Sequence, residues 1–194
     1  QYSYTKGVVY VRQWSTSNTV AVDIKTSNGL VDILEKSHEF GFDQFIGRMN
    51  PTKSQPYLGV PLDIPGTIGL EQYDKGGQNV AYWDNDATNN GHQYRDGEMV
   101  DIENAGNNEN GYDVGWTYST EWMKYTVNIA EAGTYKWYIR SGGSGNNGEL
   151  HIEIDDVLVP NGRLRTEGDG NWQDYRNFGS TVTLPAGIHV LKLY

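Results

Sequence analysis

Turn-forming residues recur at short and fairly even intervals from residue 76 onward, and this spacing limits the fold more than any other feature. The runs between them are short and contain many β-branched and aromatic residues, which favour strands. Many short strands separated by turns are typical of all-β proteins, and an antiparallel β-sandwich is the simplest arrangement for them. The turns lie at Gly76–Gly77, Asn89–Gly91, Asn107–Gly111, Gly142–Gly148, Gly168–Gly170 and Pro185–Gly187. The runs include Glu98–Glu103, Tyr125–Ile129, Thr134–Ser141, Glu149–Ile154 and Gly179–Leu184.

The charge balance excludes several classes of partner. The chain has 25 acidic and 15 basic residues, which gives a net charge of −10. Nucleic acids and anionic membranes attract basic surfaces, so we expect neither as a partner, and a strongly sulfated glycan is also disfavoured. The sequence contains no cysteine, so its stability must come from the apolar core and from any bound ions.

Residues 1–60 differ in pattern from the rest of the chain. Val8–Val11 and Val20–Ile24 have the composition of strands, and Ser15–Asn18 between them is typical of a hairpin turn. The segment that begins at Leu30 fits a strand and a short helix equally well, because its periodicity does not decide between them.

Proline placement predicts the boundary between two parts of the chain. Four of the six prolines stand at 51, 56, 61 and 65, which favours an extended connector over a packed element. We therefore predict the tail of an upstream β-rich domain with a proline-containing connector over residues 1–60. Residues 61–194 are expected to form one β-sandwich domain.

The stretch from Gly111 to Thr117, Gly-Tyr-Asp-Val-Gly-Trp-Thr, followed by Glu121–Val127, indicates two strands joined by a short polar turn. Its aromatic residues suit a packed sheet and a stacking surface equally well. A neutral sugar stacks its C–H face on aromatic rings, and its hydroxyl groups need directional hydrogen bonds from carboxylates and amides. A sugar site therefore requires paired aromatic rings and a polar anchor, and Trp116 and Trp172 are the best pair.

Together with Ile68–Asp74, Ala132–Tyr135 and Leu184–Tyr194, these motifs resemble carbohydrate-binding module family 6. The resemblance extends from about residue 67 to residue 194, and residues 1–60 are not recognised. It implies a non-catalytic, sugar-binding β-sandwich of the jelly-roll, galactose-binding-like kind. Ile68–Asp74 resembles the family's opening strand, and Leu184–Tyr194 resembles its next-to-last strand. The family's last strand, which carries a sugar-contacting asparagine, has no counterpart here. Either the fragment is truncated, or the amino-terminal segment supplies a substitute strand.

The resemblance also implies a set of sugar-binding residues. Trp116 matches the aromatic residue after Val-Gly, Trp172 matches the loop tryptophan opposite it, and Glu103 has the spacing of the family's acidic anchor. Tyr112 borders this cleft as a weaker candidate. From the residues alone, Trp116 could equally be a core residue, and Glu103 could be a solvated strand end. Trp122 is interpreted as a core residue, because its neighbours alternate as in a half-buried strand.

A structural calcium ion is a second expectation from the resemblance. The family commonly holds such an ion with glutamates of the opening strand, away from the sugar site. Only Glu71 stands at a matching position, because Gly69 replaces the first glutamate. Asp84, Asp86 and Asp96 are possible further oxygen ligands, since calcium prefers six to eight oxygen atoms from carboxylates and carbonyls.

Catalysis has little support in the sequence. A glycosidase needs two carboxylates held on either side of the scissile bond, whereas Asp101 and Glu103 share one face of one strand. The four histidines are scattered, without the paired spacing of metal ligands. No Gly-x-Ser-x-Gly motif or phosphate-binding loop is present.

The resemblance thus implies a secreted, extracellular bacterial module that directs an attached polysaccharide-degrading enzyme to its substrate. The long-loop form with Gly-Tyr-x-Val-Gly-Trp-Thr resembles modules that accompany agarases, so agar-type galactans are favoured over β-glucans and xylans. Two alternatives stay open: a glycoside hydrolase fragment with its own activity, and a structural or adhesive β domain. Activity on polysaccharides would identify the first alternative, and absence of glycan binding would identify the second.

Overall fold

The computed structural model describes residues 2–5, 8–12, 19–23, 53–106, 111–143, 145 and 148–194. The chain divides into two compact units, residues 1–51 and residues 52–194. In the first unit, β1 (Tyr2–Thr5), β2 (Val8–Arg12) and β3 (Thr19–Asp23) form an antiparallel sheet in that order. The two strands predicted in this region are confirmed over the described residues. The predicted turn at 15–18 and the ambiguous segment from residue 30 lie outside them.

Strands also dominate the second unit. They are β4 (Leu62–Ile64), β5 (Tyr82–Trp83), β6 (Ile102–Asn104), β7 (Tyr112–Val114), β8 (Trp122–Ile129), β9 (Gly133–Gly143), β10 (Gly148–Ile154), β11 (Val157–Thr166), β12 (Asn171–Leu184) and β13 (Gly187–Leu193). The largest sheet has the order β11-β10-β13-β8-β4, with β5 also paired to β8. β12 pairs with β9 and β6 pairs with β7, both antiparallel.

The strand β8 shows how the sequence directs one face of the large sheet into the core. Met123, Tyr125, Val127 and Ile129 are buried and alternate with partly exposed residues, as the two-residue period of a strand requires. Trp122 belongs to the opposite phase, so the prediction that it is a core residue is wrong. Its ring lies on the outer face of β8, beneath the ammonium groups of Lys124 and Lys192 at 5.5 and 4.9 Å.

Apolar side chains from the large sheet and from the smaller strand pairs meet in one buried cluster. It contains Ile102 of β6, Tyr125 and Val127 of β8, Ile152 and Ile154 of β10, and Val182 and Leu184 of β12. Fully burying one such side chain contributes about 1.5–3 kcal/mol, so this cluster is the main source of stability in a chain without cysteine. The prediction of an all-β sandwich is confirmed.

The segment Ile68–Asp74 is not the strand that the resemblance implied. It contains a 3₁₀ turn at Leu70–Gln72. Its backbone is satisfied largely by side chains and not by a strand ladder: Tyr125 donates to the Leu70 carbonyl, and Arg95 donates to the carbonyls of Tyr73 and Asp74. Buried Asp74 in turn accepts hydrogen bonds from the backbone N–H and the hydroxyl group of Thr126.

The strands next to β8 define the order of the large sheet in the described part of the chain. β13, predicted as a next-to-last strand, lies between β10 and β8. The opposite edge of β8 is covered by β4, which runs parallel to it, and by β5, which runs antiparallel. β4 lies within the predicted sandwich domain of residues 61–194 and not in the segment 1–60 from which a substitute strand was expected. Among the described residues, no helix has the length and apolar character needed to cross a membrane.

Candidate functional site

The two-stranded ribbon of β6 and β7 carries the predicted sugar-binding residues Glu103 and Tyr112, and also Asp113. Glu103 lies directly opposite Asp113, and Asn104 lies opposite Tyr112. Directly opposed residues of an antiparallel pair point to the same face, and neighbours along a strand point to opposite faces. Glu103 and Asp113 therefore share one face, and Tyr112 projects from the other. The structure thus separates Tyr112 from the carboxylate that it was expected to accompany.

Glu103 lies between the chain neighbours of both predicted tryptophans. Its Oε1 accepts a hydrogen bond from Nε2 of Gln173, the residue after Trp172, at 3.3 Å. A Cβ atom added to Gly115, the residue before Trp116, would lie 3.9 Å from the same oxygen. The structure therefore brings Glu103 next to both segments that carry the indole rings.

A second carboxylate and two polar side chains support Glu103. The Tyr175 hydroxyl donates to Asp113 Oδ2 at 2.7 Å and lies 3.3 Å from Gln173 Oε1. The other oxygen of Asp113, Oδ1, is buried and has no hydrogen-bond partner among the described residues. Gly106 makes room for this arrangement, because a Cβ atom there would lie 1.5 Å from Gln173 Oε1. The predicted anchor is thus held by a network that sequence reasoning missed.

Burial and charge alter the protonation of this network. Burial and then the negative charge of Asp113 raise the pKa of Glu103, and the hydrogen bond from Gln173 opposes them. Burial and then the hydrogen bond to Asp113 raise the pKa of Tyr175 to about 12. Like charges directly opposite each other destabilise a strand pair. The network therefore favours a bound group that donates hydrogen bonds to these oxygens.

Both predicted tryptophans have rings that reach solvent. Trp116 is 46% exposed and Trp172 is 67% exposed, so the alternative of Trp116 as a core residue is excluded. Trp116 has a φ angle of +46°, which is rare for a bulky residue and costs energy. The backbone N–H of Gly115, next to it, donates to the Asp101 carbonyl at 3.0 Å.

The loop before Trp172 is fixed by its own polar side chains. Asp169 accepts hydrogen bonds from the backbone N–H of Asn171 at 3.0 Å and from the Arg176 guanidinium at 2.5 Å. A Cβ atom on Gly142 would lie 2.2 Å from the Trp172 carbonyl oxygen, so only glycine allows this close approach of β9. Trp172 is therefore an exposed ring at the start of β12, directly after a supported loop.

A separate group of carboxylates has the chemistry of a calcium site. Oxygens of Asp84, Asp86 and Asp101 lie within 4.8 Å of one another, and Asp84 and Asp101 are 6% and 2% exposed. Burial raises the pKa of Asp84 to about 6 and also raises that of Asp101. Three closely spaced oxygen donors, two of them buried, fit a hard cation such as calcium. Asp101 was not among the residues predicted for calcium, although it lies two residues before Glu103.

The other residues predicted for calcium lie outside this group. Among the described residues, Asp84, Asp86 and Asp101 form the one set of three or more metal-binding side chains at this spacing. Glu71 lies in the 3₁₀ turn, and its carboxylate folds back over Gly69. Asp96 pairs with His92 at 3.2 Å.

Comparisons with known proteins agree with the fold. Residues 90–194, more than half of the chain, match the model of the carbohydrate binding module (family 6). No curated protein matches the sequence significantly. A family 6 module from Clostridium stercorarium in complex with cellobiose is 15% identical, with a TM-score of 0.53, over 70% of this chain and 87% of that one. A β-1,3-glucan-binding family 6 module from Bacillus halodurans is 15% identical, with a TM-score of 0.52, over 69% and 85%.

A third solved structure has a higher identity over a shorter stretch. The C-terminal family 6 module of LamC, a marine laminarinase from Zobellia galactanivorans, is 26% identical. It covers 49% of this chain and 76% of its own, with a TM-score of 0.45.

Proposed function

We propose that this chain, which belongs to family 6 of the carbohydrate-binding modules, binds a neutral polysaccharide at a rim formed by Trp116, Trp172 and Glu103. The observation that carries the proposal is the position of Glu103, whose Oε1 contacts the residue after Trp172 and lies near the residue before Trp116. This places a hydrogen-bond acceptor beside two segments with exposed indole rings. Stacking and a directional acceptor are the two things that a neutral sugar requires.

In this proposal, some residues of the site provide affinity and others fix the orientation of the sugar. The indoles of Trp116 and Trp172 cover the apolar faces of a sugar ring, and the Glu103 carboxylate accepts hydrogen bonds from its hydroxyl groups. Gln173 keeps the carboxylate in place, and Tyr175 and Asp113 hold Gln173 in turn. An open site of this kind covers only one or two sugar units, so we expect dissociation constants roughly between millimolar and micromolar, or about −4 to −8 kcal/mol.

Agar-type galactans are the leading ligands in this proposal, ahead of β-glucans and xylans, because the Gly111–Thr117 motif resembles that of agarase-associated modules. Solved family 6 relatives have been captured with cellobiose or described as β-1,3-glucan-binding, which makes β-glucans the second choice. The module is non-catalytic by family. Its proposed biological setting is outside a bacterial cell, attached to an enzyme that degrades the polysaccharide.

Native gel electrophoresis in gels that contain agarose, laminarin or xylan tests this proposal. Retardation of the wild-type protein by one of them, with its loss in Trp172→Ala, is the expected result. Absence of retardation by all three would overturn the proposal. Release of reducing sugar by the purified chain, abolished by Glu103→Gln, would support the glycoside hydrolase alternative instead.

We also propose that a structural calcium ion binds at Asp84, Asp86 and Asp101. Their support is the chemistry of the donor set and the burial of two of the three carboxylates. A bound ion would neutralise charges whose burial is otherwise costly. An ion that binds only the folded state raises the melting temperature by mass action.

Calorimetric melting in excess calcium and in chelator tests the calcium site. The wild-type protein should melt at a higher temperature with calcium, and Asp101→Asn should lose most of this difference. Glu71→Gln is the matched control, because the family resemblance places a ligand there. Loss of the calcium effect in Glu71→Gln alone would move the ion to the 3₁₀ turn, and no calcium effect in the wild type would overturn the site.

A further inference from the structure

Three tyrosines form a continuous aromatic surface that the proposed rim does not use. The ring centroids of Tyr57 and Tyr94 are 5.7 Å apart, and those of Tyr94 and Tyr112 are 4.8 Å apart. We call this surface the tyrosine platform (Tyr57, Tyr94 and Tyr112). Tyr94 is 43% exposed and Tyr112 is 36% exposed. Because Tyr112 projects from the face of the β6–β7 ribbon opposite to Glu103, the platform is distinct from the Glu103 rim.

A buried arginine makes the platform rigid. The guanidinium carbon of Arg95 lies 3.4 Å from the ring centroid of Tyr73 and 4.5 Å from that of Tyr57. The same group donates to the backbone carbonyls of Tyr73 and Asp74, and it forms an ion pair with Glu98 at 3.0 Å. The segment that carries Tyr94 is therefore anchored, and a ligand would not bear the cost of ordering it.

The backbone at Tyr94 indicates that its ring has a purpose beyond packing. Tyr94 has a φ angle of +59°, in the left-handed region that glycine and asparagine adopt readily and in which a bulky residue is strained. A small residue would make the same turn without strain, and nearly half of the Tyr94 ring lies in solvent. Strained residues persist mainly where function requires them.

Polar groups suited to a sugar accompany the rings. The Tyr94 hydroxyl is hydrogen-bonded to that of Tyr57, and this bond is the main reason why the pKa of Tyr94 rises to about 12. The negative charge of Glu71 contributes to the same rise, which places this carboxylate near the platform. The 3₁₀ turn that carries Glu71 packs against β7. The ammonium group of Lys75, 5.4 Å from the ring centroid of Tyr57, balances the charge of Glu71, so the platform favours a neutral ligand with hydroxyl groups over a charged one.

From this arrangement, we propose that the tyrosine platform is a second glycan-binding surface, which takes a neutral sugar unit on the rings of Tyr94 and Tyr112. The inference rests on the proposed function and extends it from one binding surface to two. Two weak sites that engage one polysaccharide chain, or neighbouring chains, increase the overall affinity without any further contact.

The test uses the whole chain and the polysaccharide, among agarose, laminarin and xylan, that retards it in native gels. Tyr94→Gly removes the ring and suits the left-handed backbone, so this variant is expected to fold. Tyr138→Ala is the matched control, because Tyr138 is an exposed tyrosine on β9 that lies opposite Gly179 of β12 and is not one of the platform rings. Tyr94→Gly should weaken retardation roughly 3- to 10-fold, the range for one lost aromatic contact. The double variant with Trp172→Ala should bind more weakly than Trp172→Ala alone.

A second measurement needs no substitution. In hydroxyl-radical footprinting of the wild-type protein, the bound polysaccharide should reduce oxidation of Tyr94 and Tyr112 but not of Tyr138. Unchanged retardation by Tyr94→Gly together with unprotected Tyr94 would overturn the platform, and the loss of retardation in Trp172→Ala would then leave the proposed rim standing. Equal weakening by Tyr138→Ala would also overturn it. If no polysaccharide retards the wild type, both proposals fail.

Discussion

Replacing Trp172 with alanine separates ligand binding from folding in this module. The ring is 67% exposed, so most of its surface faces solvent in the free protein. A tryptophan contributes up to about 250 Å² of buried surface, which leaves roughly 170 Å² available at this position. A sugar that stacks on one face covers about half of that, or about 80 Å². At about 25 cal/mol per Å² this contact is worth about 2 kcal/mol, or roughly a 30-fold change in affinity.

The cost of the same substitution to the fold has a similar upper limit. The buried third of the ring corresponds to about 80 Å², hence about 2 kcal/mol at most, against the 5–15 kcal/mol typical of a stable domain. Trp172→Ala should therefore remain folded, which circular dichroism in the near ultraviolet would verify.

Isothermal titration with the polysaccharide that binds the wild type measures the change in affinity. Tyr138→Ala provides the control for loss of an exposed aromatic ring elsewhere. A change in affinity below about 3-fold for folded Trp172→Ala would contradict this prediction, because it would mean that the exposed ring does not contact the sugar.

Two further predictions concern protonation. Because burial and Asp113 raise the pKa of Glu103, sugar binding should weaken as the pH falls through this raised pKa. Glu103→Gln is expected to bind about 10-fold more weakly and to lose this pH dependence in titrations across pH. An unchanged pH profile in the variant would contradict the prediction. The hydrogen bond from His189 to Asp155 raises the pKa of His189, so this pair should contribute about 0.5–1 kcal/mol of stability below pH 6.5. This stability should be lost as the pH rises through the raised pKa of His189. His189→Gln should abolish that loss in urea unfolding, and a pH profile identical to that of the wild type would count against the prediction.

The strands of the sandwich could be predicted because turn chemistry and alternation are local properties of the sequence. The errors arose where local patterns were ambiguous in phase or were overridden by distant contacts. Trp122 and Met123 both fit a half-buried strand, and only the packing of β8 decides which of them faces the core. Ile68–Asp74 has strand-like composition, but hydrogen bonds from Arg95 and Tyr125 satisfy it as a turn.

The residues of the candidate site were also predictable only in part from the sequence. Trp116, Trp172 and Glu103 stand in motifs, so sequence could propose them, and the structure finds both rings exposed and Glu103 beside their chain neighbours. Asp113 and Tyr175 come together only through the pairing of β7 with β6 and the approach of β12, which no spacing in the sequence reveals. The left-handed backbone at Tyr94 likewise has no sequence signal.

Whether a sugar binds between Trp116 and Trp172 can be read from the indole N–H signals of the six tryptophans. In nitrogen-15 correlation spectra of the labelled protein, titration with fragments of the retarding polysaccharide should shift the Nε1–H signals of Trp116 and Trp172. The signals of Trp122, on the outer face of β8, and of Trp137, which donates to Ser180 Oγ at 3.0 Å, should stay in place. Binding that shifts the signals of Trp122 or Trp137 and leaves those of Trp116 and Trp172 unchanged would place the sugar elsewhere on the module and rule out the proposed site.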